Sequence, residues 1–525
     1  MALLASSDWR VAGAIAEIGY ANPFLPERIE LEKKALGRAF VYSQPFLQYR
    51  PDCSVSDMFP NATVLRHRSE QLLEKMREKL IAHEPATERE LEVYENLAIY
   101  QLYARYMSTI LDVRAVRFHS RPEDDILDCY NAFAADYHRF LELPERRFPS
   151  NLDRDVIFAG LFQVERAFFH IFRHIVGASL SAARLRASIW QSIFTHDMRR
   201  YVGALHRFMG DIPTLITGPS GTGKELVAQS IAYSRFVEID SKSRRFVTNY
   251  ADCFVGLNLT AISPTLIESE LFGHAKGAFT DAKTERQGYL DESKCPRWGT
   301  VFLDEIGDLD AQIQVKLLRV LQNREFQRVG DSTPRKFVGK IITATNRDLA
   351  AEMAAGRFRE DFYYRLCADR IETPSLRAQL QESPEDIANF VRFIATRLLP
   401  ELPEEANRLT DEVVSWVSKH LGDDYPWPGN IRELEQCARS IMIRGEYAPT
   451  ERQAPTKRAP VAKFLKNVED GDLSREELLT AYFSLVYSKS GSFRAAGKQL
   501  GVDWRTVKEI VNSELARQFV DASTE

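Results

Sequence analysis

The run Gly218-Pro219-Ser220-Gly221-Thr222-Gly223-Lys224-Glu225 has the residue types and spacing of a loop that cradles phosphate. Gly218, Gly221 and Gly223 permit positive φ, which lets successive backbone N–H groups approach an anion. Lys224 offers a point charge to β- and γ-phosphates. The apolar run Thr214-Leu-Ile-Thr217 before the loop reads as a strand, and ELVAQSIA after it reads as a helix whose positive dipole end adds to the anion site. Glu225 stands where a Ser or Thr usually follows the lysine, so the hydroxyl expected on Mg²⁺ is missing.

A second run, Thr300-Val-Phe-Leu-Asp304-Glu305, is apolar and ends in two carboxylates. A buried parallel strand would deliver both to the carboxyl edge of a sheet, beside the phosphate loop. Asp304 can hold Mg²⁺ directly or through water, and Glu305 can orient and deprotonate an attacking water. An acidic pair at a strand end is also a common solvated turn; downstream of a phosphate loop it points to nucleotide hydrolysis.

The elements that must position these groups follow from the texture of the chain. Residues 1–174 read as mostly helical; Thr87-Glu-Arg-Glu90 is a capping box, followed by apolar residues at helical spacing (Leu91, Tyr94, Leu97, Ala98, Leu102). Ile157 to Val176 is apolar but carries Glu165, Arg166, His170, Arg173 and His174, so it reads as a buried amphipathic helix and not a membrane span. From Ile175, short β-rich runs alternate with helical ones, which predicts a parallel sheet covered by helices. The pattern after Pro374 is helical to about Arg444. Residues 446–472, with Pro449, Pro455 and Pro460 among charges, read as a linker. The segment before Asn258, from Ser234 to Phe254, reads as a surface insertion.

With these elements in place, residues 175–445 resemble the AAA+ domain of sigma-54-dependent activators. Ile175-Val176-Gly177 looks like that domain's opening segment, which in the family lies near the adenine. Gly277-Ala278-Phe279-Thr280-Asp281-Ala282 resembles the family's loop that touches sigma-54, with Asp281 where the family has glycine. Phe279 is an apolar anchor and Thr280 a hydroxyl, while Asp281 adds a negative charge at the tip. Asn258 matches the position that restrains the catalytic glutamate, and Asn346, in Ala344-Thr-Asn, matches sensor I. Arg359 and Arg365 match two arginine fingers that act across a subunit boundary; on their own they read as solvated helix charges. Arg432, in Trp427-Pro-Gly-Asn-Ile-Arg, matches sensor II in a helical lid.

The resemblance implies an α/β AAA+ P-loop ATPase: a parallel sheet with flanking helices plus a lid at about 376–445. It implies ATP and Mg²⁺ as cofactors, a ring hexamer with a dimer as one resting form, and the sigma-54 RNA polymerase holoenzyme as partner. A reading in which ATP sets only the oligomeric state, without sigma-54 remodelling, stays open because of Asp281.

Residues 473–525 close the chain. Ser474-Arg-Glu-Glu477 is a second capping box, and two later helical runs meet at Gly501-Val502. A helix, a glycine turn and a helix fit a helix-turn-helix. This segment resembles the Fis-type module of the same family, with Arg505, Thr506 and Lys508 as the residues that would meet double-stranded DNA upstream of promoters.

Residues 1–174 show no known sensor pattern; His170 and His174 have metal-compatible spacing but no third ligand, so they read as a helix-face pair. Of 525 residues, 44% are hydrophobic and 27% charged, with a formal net charge of −5, so any DNA binding must be local to one module. The six cysteines form no CxxC pair and read as reduced thiols. MALLASSDWR carries no signal-peptide pattern, and the expected location is the cytoplasm with no membrane partner.

Overall fold

The sheet predicted from the alternating texture has five strands, all parallel, in the order β11-β1-β10-β7-β4. They are β1 (Thr214–Thr217), β4 (Phe254–Asn258), β7 (Thr300–Asp304), β10 (Lys340–Thr345) and β11 (Asp369–Glu372). The computed structural model of the chain describes residues 3–42, 60–117, 126–150, 152–240, 242–243, 245–248, 254–279, 282–422, 424–449, 464–465, 467–468, 471, 473–512, 515–516 and 519. These fall into two compact units, Met1–Glu446 and Tyr447–Glu525.

Side chains alternate across the sheet with the two-residue period of a strand. Leu215, Leu257, Val301, Leu303 and Ile341 face one core, with Leu271, Leu317 and Phe362 from the helices Pro264–Phe272, Ala311–Asn323 and Glu360–Leu366. Ile216, Phe302, Ile342, Ala344 and Ile371 face the other, with Ile171, Trp190 and Val227 from helices Arg154–His174, Leu180–Phe194 and Lys224–Ala232. With both faces covered, the strands are near-continuous apolar runs. The lid follows as helices Leu376–Glu382, Asp386–Leu398, Pro403–His420 and Asn430–Arg444.

The N-terminal helices share cores with the ATPase layer. Helix Arg154–His174 gives Ile157 and Phe158 to the N-terminal core and Ala167, Ile171 and Phe172 to the sheet-side core. Phe24 meets Phe172 and Trp190 edge-on, with ring centroids 5.5 and 5.9 Å apart. Burying a phenylalanine contributes about 1.5–3 kcal/mol, so these rings bind the N-terminal helices to helix Leu180–Phe194. The capping box at Thr87 opens helix Glu88–Arg117, and Glu90 also takes the backbone N–H of Leu3 at 2.8 Å.

Within the segment expected as a surface insertion, two short strands pair and one apolar side packs inward, while Asp240, Lys242, Ser243, Arg245 and Val247 stay exposed. Strands β2 (Ile239–Asp240) and β3 (Arg245–Phe246) pair antiparallel, and Phe246 meets Phe162 edge-on at 5.3 Å. The reason is visible in its residues: Ile239 and Phe246 give the segment an apolar side that the N-terminal core covers.

His170 and His174 behave as a helix-face pair. His174 lies 3.1 Å from the Ser230 hydroxyl, and burial pulls its pKa down to about 4. Cys129, Cys295, Cys367 and Cys437 are free thiols; Cys53 and Cys253 lie outside the described residues, as does most of 446–472. No described helix is long and apolar enough to cross a membrane.

In the C-terminal unit, Ser474 and Glu477 complete the capping box of helix Arg475–Ser490. Helices Phe493–Leu500 and Trp504–Ile510 follow, and Phe483, Val486, Ala496 and Val507 form their small core. Gly491 and Gly501 end two of the helices in the left-handed region. A Cβ at Gly497 would sit 2.8 Å from the Val502 carbonyl oxygen, so only glycine lets the last two helices approach this closely.

Candidate functional site

The phosphate loop joins β1 to helix Lys224–Ala232, as its sequence predicts. Gly218, Gly221 and Gly223 have φ of +146°, +79° and +86°. Two of them also have no room for a side chain: a Cβ on Gly218 would stand 2.2 Å from the Thr373 hydroxyl, and one on Gly221 would stand 2.3 Å from the Gly429 carbonyl. Lys224 is buried and donates to the Gly218 and Pro219 carbonyls at 3.1 and 3.2 Å. Burial holds its ammonium below the usual lysine range, and Glu305 and then Asp304 oppose that shift. Thr222 is fixed by Pro219 and by the Thr373 hydroxyl at 2.7 Å. Glu225 is exposed and accepts from Gln229 one turn on, pointing to no loop partner.

Asp304 ends β7 and Glu305 follows it in the left-handed region, with φ 57° and ψ 47°. That conformation is unfavourable for a non-glycine residue and marks a position where the surroundings over-determine the backbone. Burial pushes the Glu305 carboxyl above its ordinary range and the neighbouring Asp304 pushes it further; Lys224 and the Asn346 backbone N–H act the other way. Glu305 Oε2 is buried with no hydrogen-bond partner among the described residues. Lys224, Asp304, Glu305 and the Asn346 backbone thus converge at the carboxyl ends of β1, β7 and β10.

Asn258 sits opposite Asp304 in register at the end of β4. Its side-chain Oδ1 accepts from the Thr260 N–H and hydroxyl, capping the turn Leu259–Ala261, and no hydrogen bond joins it to Glu305. No group of three or more His, Cys, Asp and Glu among the described residues could hold a metal ion. The donor set suited to a divalent cation here is Asp304, a hard oxygen ligand of the kind that shares Mg²⁺ with phosphate oxygens and water.

The lid closes on the loop through side chains as well as backbone. Arg432 donates to the Ser220 hydroxyl at 3.2 Å, and Ile431 N–H to the Gly221 carbonyl at 3.0 Å. Asn430, held at φ 53°, donates to the Ser220 carbonyl at 2.9 Å and accepts from the Leu376 N–H at 2.9 Å. Sequence reasoning singled out Arg432 and passed over Asn430 and Thr373.

The opening segment Ile175-Val176-Gly177 is braced from two sides that sequence reasoning also missed. Arg186, fully buried, donates to the Ile175 and Gly177 carbonyls, both at 2.9 Å. Asp386 of the lid accepts from the Ala178 and Ser179 N–H groups at 2.6 and 3.1 Å. Burial lowers the Arg186 pKa to about 10, and the Asp386 charge opposes that shift.

Arg359 and Arg365 lie exposed at the start and end of helix Glu360–Leu366. Arg359 pairs with Asp361 at 2.8 Å; neither arginine meets the phosphate loop of its own chain.

The loop after helix Pro264–Phe272 runs between β5 (Gly273–His274) and β6 (Arg286–Gln287), which pair antiparallel. Gly277 (φ +82°) donates to the Ala282 carbonyl at 2.8 Å, and Ala282 donates back to the Phe279 carbonyl at 2.9 Å, pinching the tip. Phe279 is 41% exposed and packs edge-on to His274, with ring centroids 4.9 Å apart. Thr280 and Asp281 lie outside the described residues. A neighbouring hairpin, β8 (Glu325–Phe326) with β9 (Arg335–Lys336), supports the base: Ala275 donates to the Val329 carbonyl at 3.0 Å, and Gly330 leaves no room for a Cβ beside Ala278.

In the C-terminal unit Arg505 and Lys508 are exposed and Thr506 is half-buried on helix Trp504–Ile510. The Arg505 guanidinium lies 5.5 Å from the centre of the Trp504 ring.

Residues 194–372 match the family model described as the Sigma-54 interaction domain. The chain is 39% identical over 299 residues to the transcriptional regulatory protein ZraR of Escherichia coli K12, covering 56% of this chain and 61% of that one. It is 41% identical over 318 residues to the Nif-specific regulatory protein of Azotobacter vinelandii, covering 58% and 55%. With the transcriptional regulator NtrC of Klebsiella pneumoniae it shares 40% over 257 residues, 49% of each chain. The chain therefore spans about three fifths or less of the length of these relatives. Among solved structures, NtrX from Brucella abortus is 22% identical with a TM-score of 0.39, covering 75% of this chain and 80% of that one. Residues 194–372 thus match a sigma-54 interaction domain on an AAA+ fold, in a chain similar over about half its length to bacterial transcriptional regulators.

Proposed function

We propose that this protein hydrolyses ATP within a ring hexamer and uses the energy to remodel the sigma-54 RNA polymerase complex for open-complex formation in the cytoplasm. The observation that carries this reading is the convergence of Lys224, Asp304 and Glu305 at one sheet edge, inside a domain that matches the sigma-54 interaction model.

The loop N–H groups and Lys224 bind the phosphates of ATP. Asp304 would hold Mg²⁺, which would supply charge neutralisation for the phosphates. Glu305 takes a proton from the attacking water through its unpartnered Oε2, which lies at the end of a helix-covered strand and out of bulk solvent. Asn346 acts as sensor I, its backbone N–H reaching the Glu305 carboxylate, and Asn258, next to Asp304, restrains that glutamate. Arg432 and Asn430 carry the state of the loop into the lid. Ile175, Val176 and Gly177 flank the base of the nucleotide. Arg359 or Arg365, free of its own chain's loop, reaches the γ-phosphate of the next subunit, which makes turnover depend on assembly.

The tip Gly277–Ala282 presents Phe279 to sigma-54, and Arg505, Thr506 and Lys508 hold upstream DNA. The test is in vitro transcription with purified sigma-54 polymerase. Open complexes should form with ATP and wild-type protein and fail with Glu305→Gln. If open complexes form equally well without ATP, or not at all while ATP is consumed, ATP serves another purpose here, such as setting the oligomeric state alone.

A further inference from the structure

A cavity of about 220 Å³ lies between the N-terminal helices and helix Leu180–Phe194, well away from the phosphate loop. Ile99, Leu161, Phe168 and Trp190 form apolar walls. One face of helix Glu88–Arg117 supplies the polar groups: Asn96 and Tyr100, four residues apart, both line the space. They are 6% and 8% exposed, and neither side chain has a hydrogen-bond partner among the described residues. Their polar atoms face the space itself and are open to water or to a ligand that enters it.

Gly160 makes the same point from the opposite wall. It sits in the interior of helix Arg154–His174, where glycine is disfavoured relative to alanine. No close contact demands it, since a Cβ built there meets no heavy atom within 4 Å. Its effect is to leave room in the cavity.

We propose that this cavity binds a neutral aromatic small molecule of one or two rings that carries a hydrogen-bonding group. Size supports this: an apolar cavity of roughly 150 Å³ takes up benzene. The walls offer ring faces, and Asn96 offers both a donor and an acceptor. Neutrality follows from the charged lining residues: Arg28 is paired with Glu32 at 3.0 Å and Arg66 is exposed to solvent, so the wall offers no buried unpaired charge.

Indole is the ligand for the test, titrated calorimetrically into the full-length protein without nucleotide. Saturable uptake of one indole per chain is expected. Gly160→Leu, which fills the void, should weaken it by about tenfold or more. Asn96→Leu should also weaken indole binding, because it removes the polar anchor, while the melting temperature without indole stays within about 2 °C of wild type; a purely structural asparagine would lower it. No uptake by folded wild-type protein, or equal uptake by Gly160→Leu, overturns the proposal. Since the readout is heat without nucleotide, such a failure is separable from a failure of the ATPase reading.

Discussion

The nucleotide edge and the C-terminal unit solve the positioning problem in opposite ways. At the nucleotide edge, groups far apart in sequence are held by long-range contacts: Ser220 meets Asn430 and Arg432, Thr222 meets Thr373, and Asp386 grips Ala178 and Ser179. In the C-terminal unit, the main positioning devices are local: a Ser474–Glu477 capping box, glycine ends at Gly491 and Gly501, and one close glycine approach at Gly497. The difference teaches that side chains at the edge can be tuned for charge at some cost in stability, because a large core over-determines them. The C-terminal unit has a small core, so its caps carry a larger share of its stability.

Substitutions should separate the two regions. The largest effect is expected at the trans-acting arginines. Arg359→Ala or Arg365→Ala should cut ATP turnover by roughly 10³–10⁵-fold if that residue serves as the finger. Mixing either variant with Lys224→Ala should restore part of the activity, measured by phosphate release. No restoration in mixed rings would place the arginines in their own subunit's chemistry.

Glu305→Gln should reduce turnover by about 10²–10⁴-fold, the range of a lost general base. It should also raise the melting temperature at neutral pH. The carboxyl pKa is raised in the folded state, so ionisation above the unfolded value favours unfolding, and glutamine removes that penalty. By the same sign, wild-type turnover should fall on acidification at a pH above the ordinary glutamate range. A drop in melting temperature for Glu305→Gln would show that Glu305 has a structural duty instead.

Asp386→Ala leaves two buried N–H groups without acceptors and removes the charge that offsets buried Arg186, so it should destabilise the large unit by about 1–3 kcal/mol. Chemical denaturation measures this, and the C-terminal transition should not move. Ser474→Ala is the smallest change, costing about 1 kcal/mol in the C-terminal unit alone. It should weaken DNA binding at elevated temperature and leave ATP turnover untouched. A shift of the large unit's transition on Ser474→Ala would break the comparison.

What the sequence revealed follows the same division. The phosphate loop, the β7 carboxylates and both capping boxes were legible because strict local geometry forces particular residues into neighbouring positions. Strands β1, β7 and β10 were legible because burial on both faces makes them continuous apolar runs. Thr373, Asp386 and Asn430 were not legible: their partners in the phosphate loop and opening segment lie 151 to 210 positions away, and nothing local distinguishes them from surface residues; Arg186 was not legible because its acceptors are backbone carbonyls, which no residue type marks. The left-handed backbone at Glu305 was hidden for the same reason, since only the tertiary surroundings impose it. The pairing of Ile239–Asp240 with Arg245–Phe246 inside the expected insertion was not legible, because two-residue strands are too short for periodicity to show. The cavity at Asn96 and Tyr100 looks in sequence like one more amphipathic helix.

The most direct measurement is steady-state ATP hydrolysis as a function of protein concentration, for wild type and Glu305→Gln side by side. The account predicts specific activity that rises with concentration in wild type, as subunits supply each other's arginine, and near-baseline rates in the variant throughout. Folded wild-type protein with no turnover at any concentration, or a variant as fast as wild type, would contradict it.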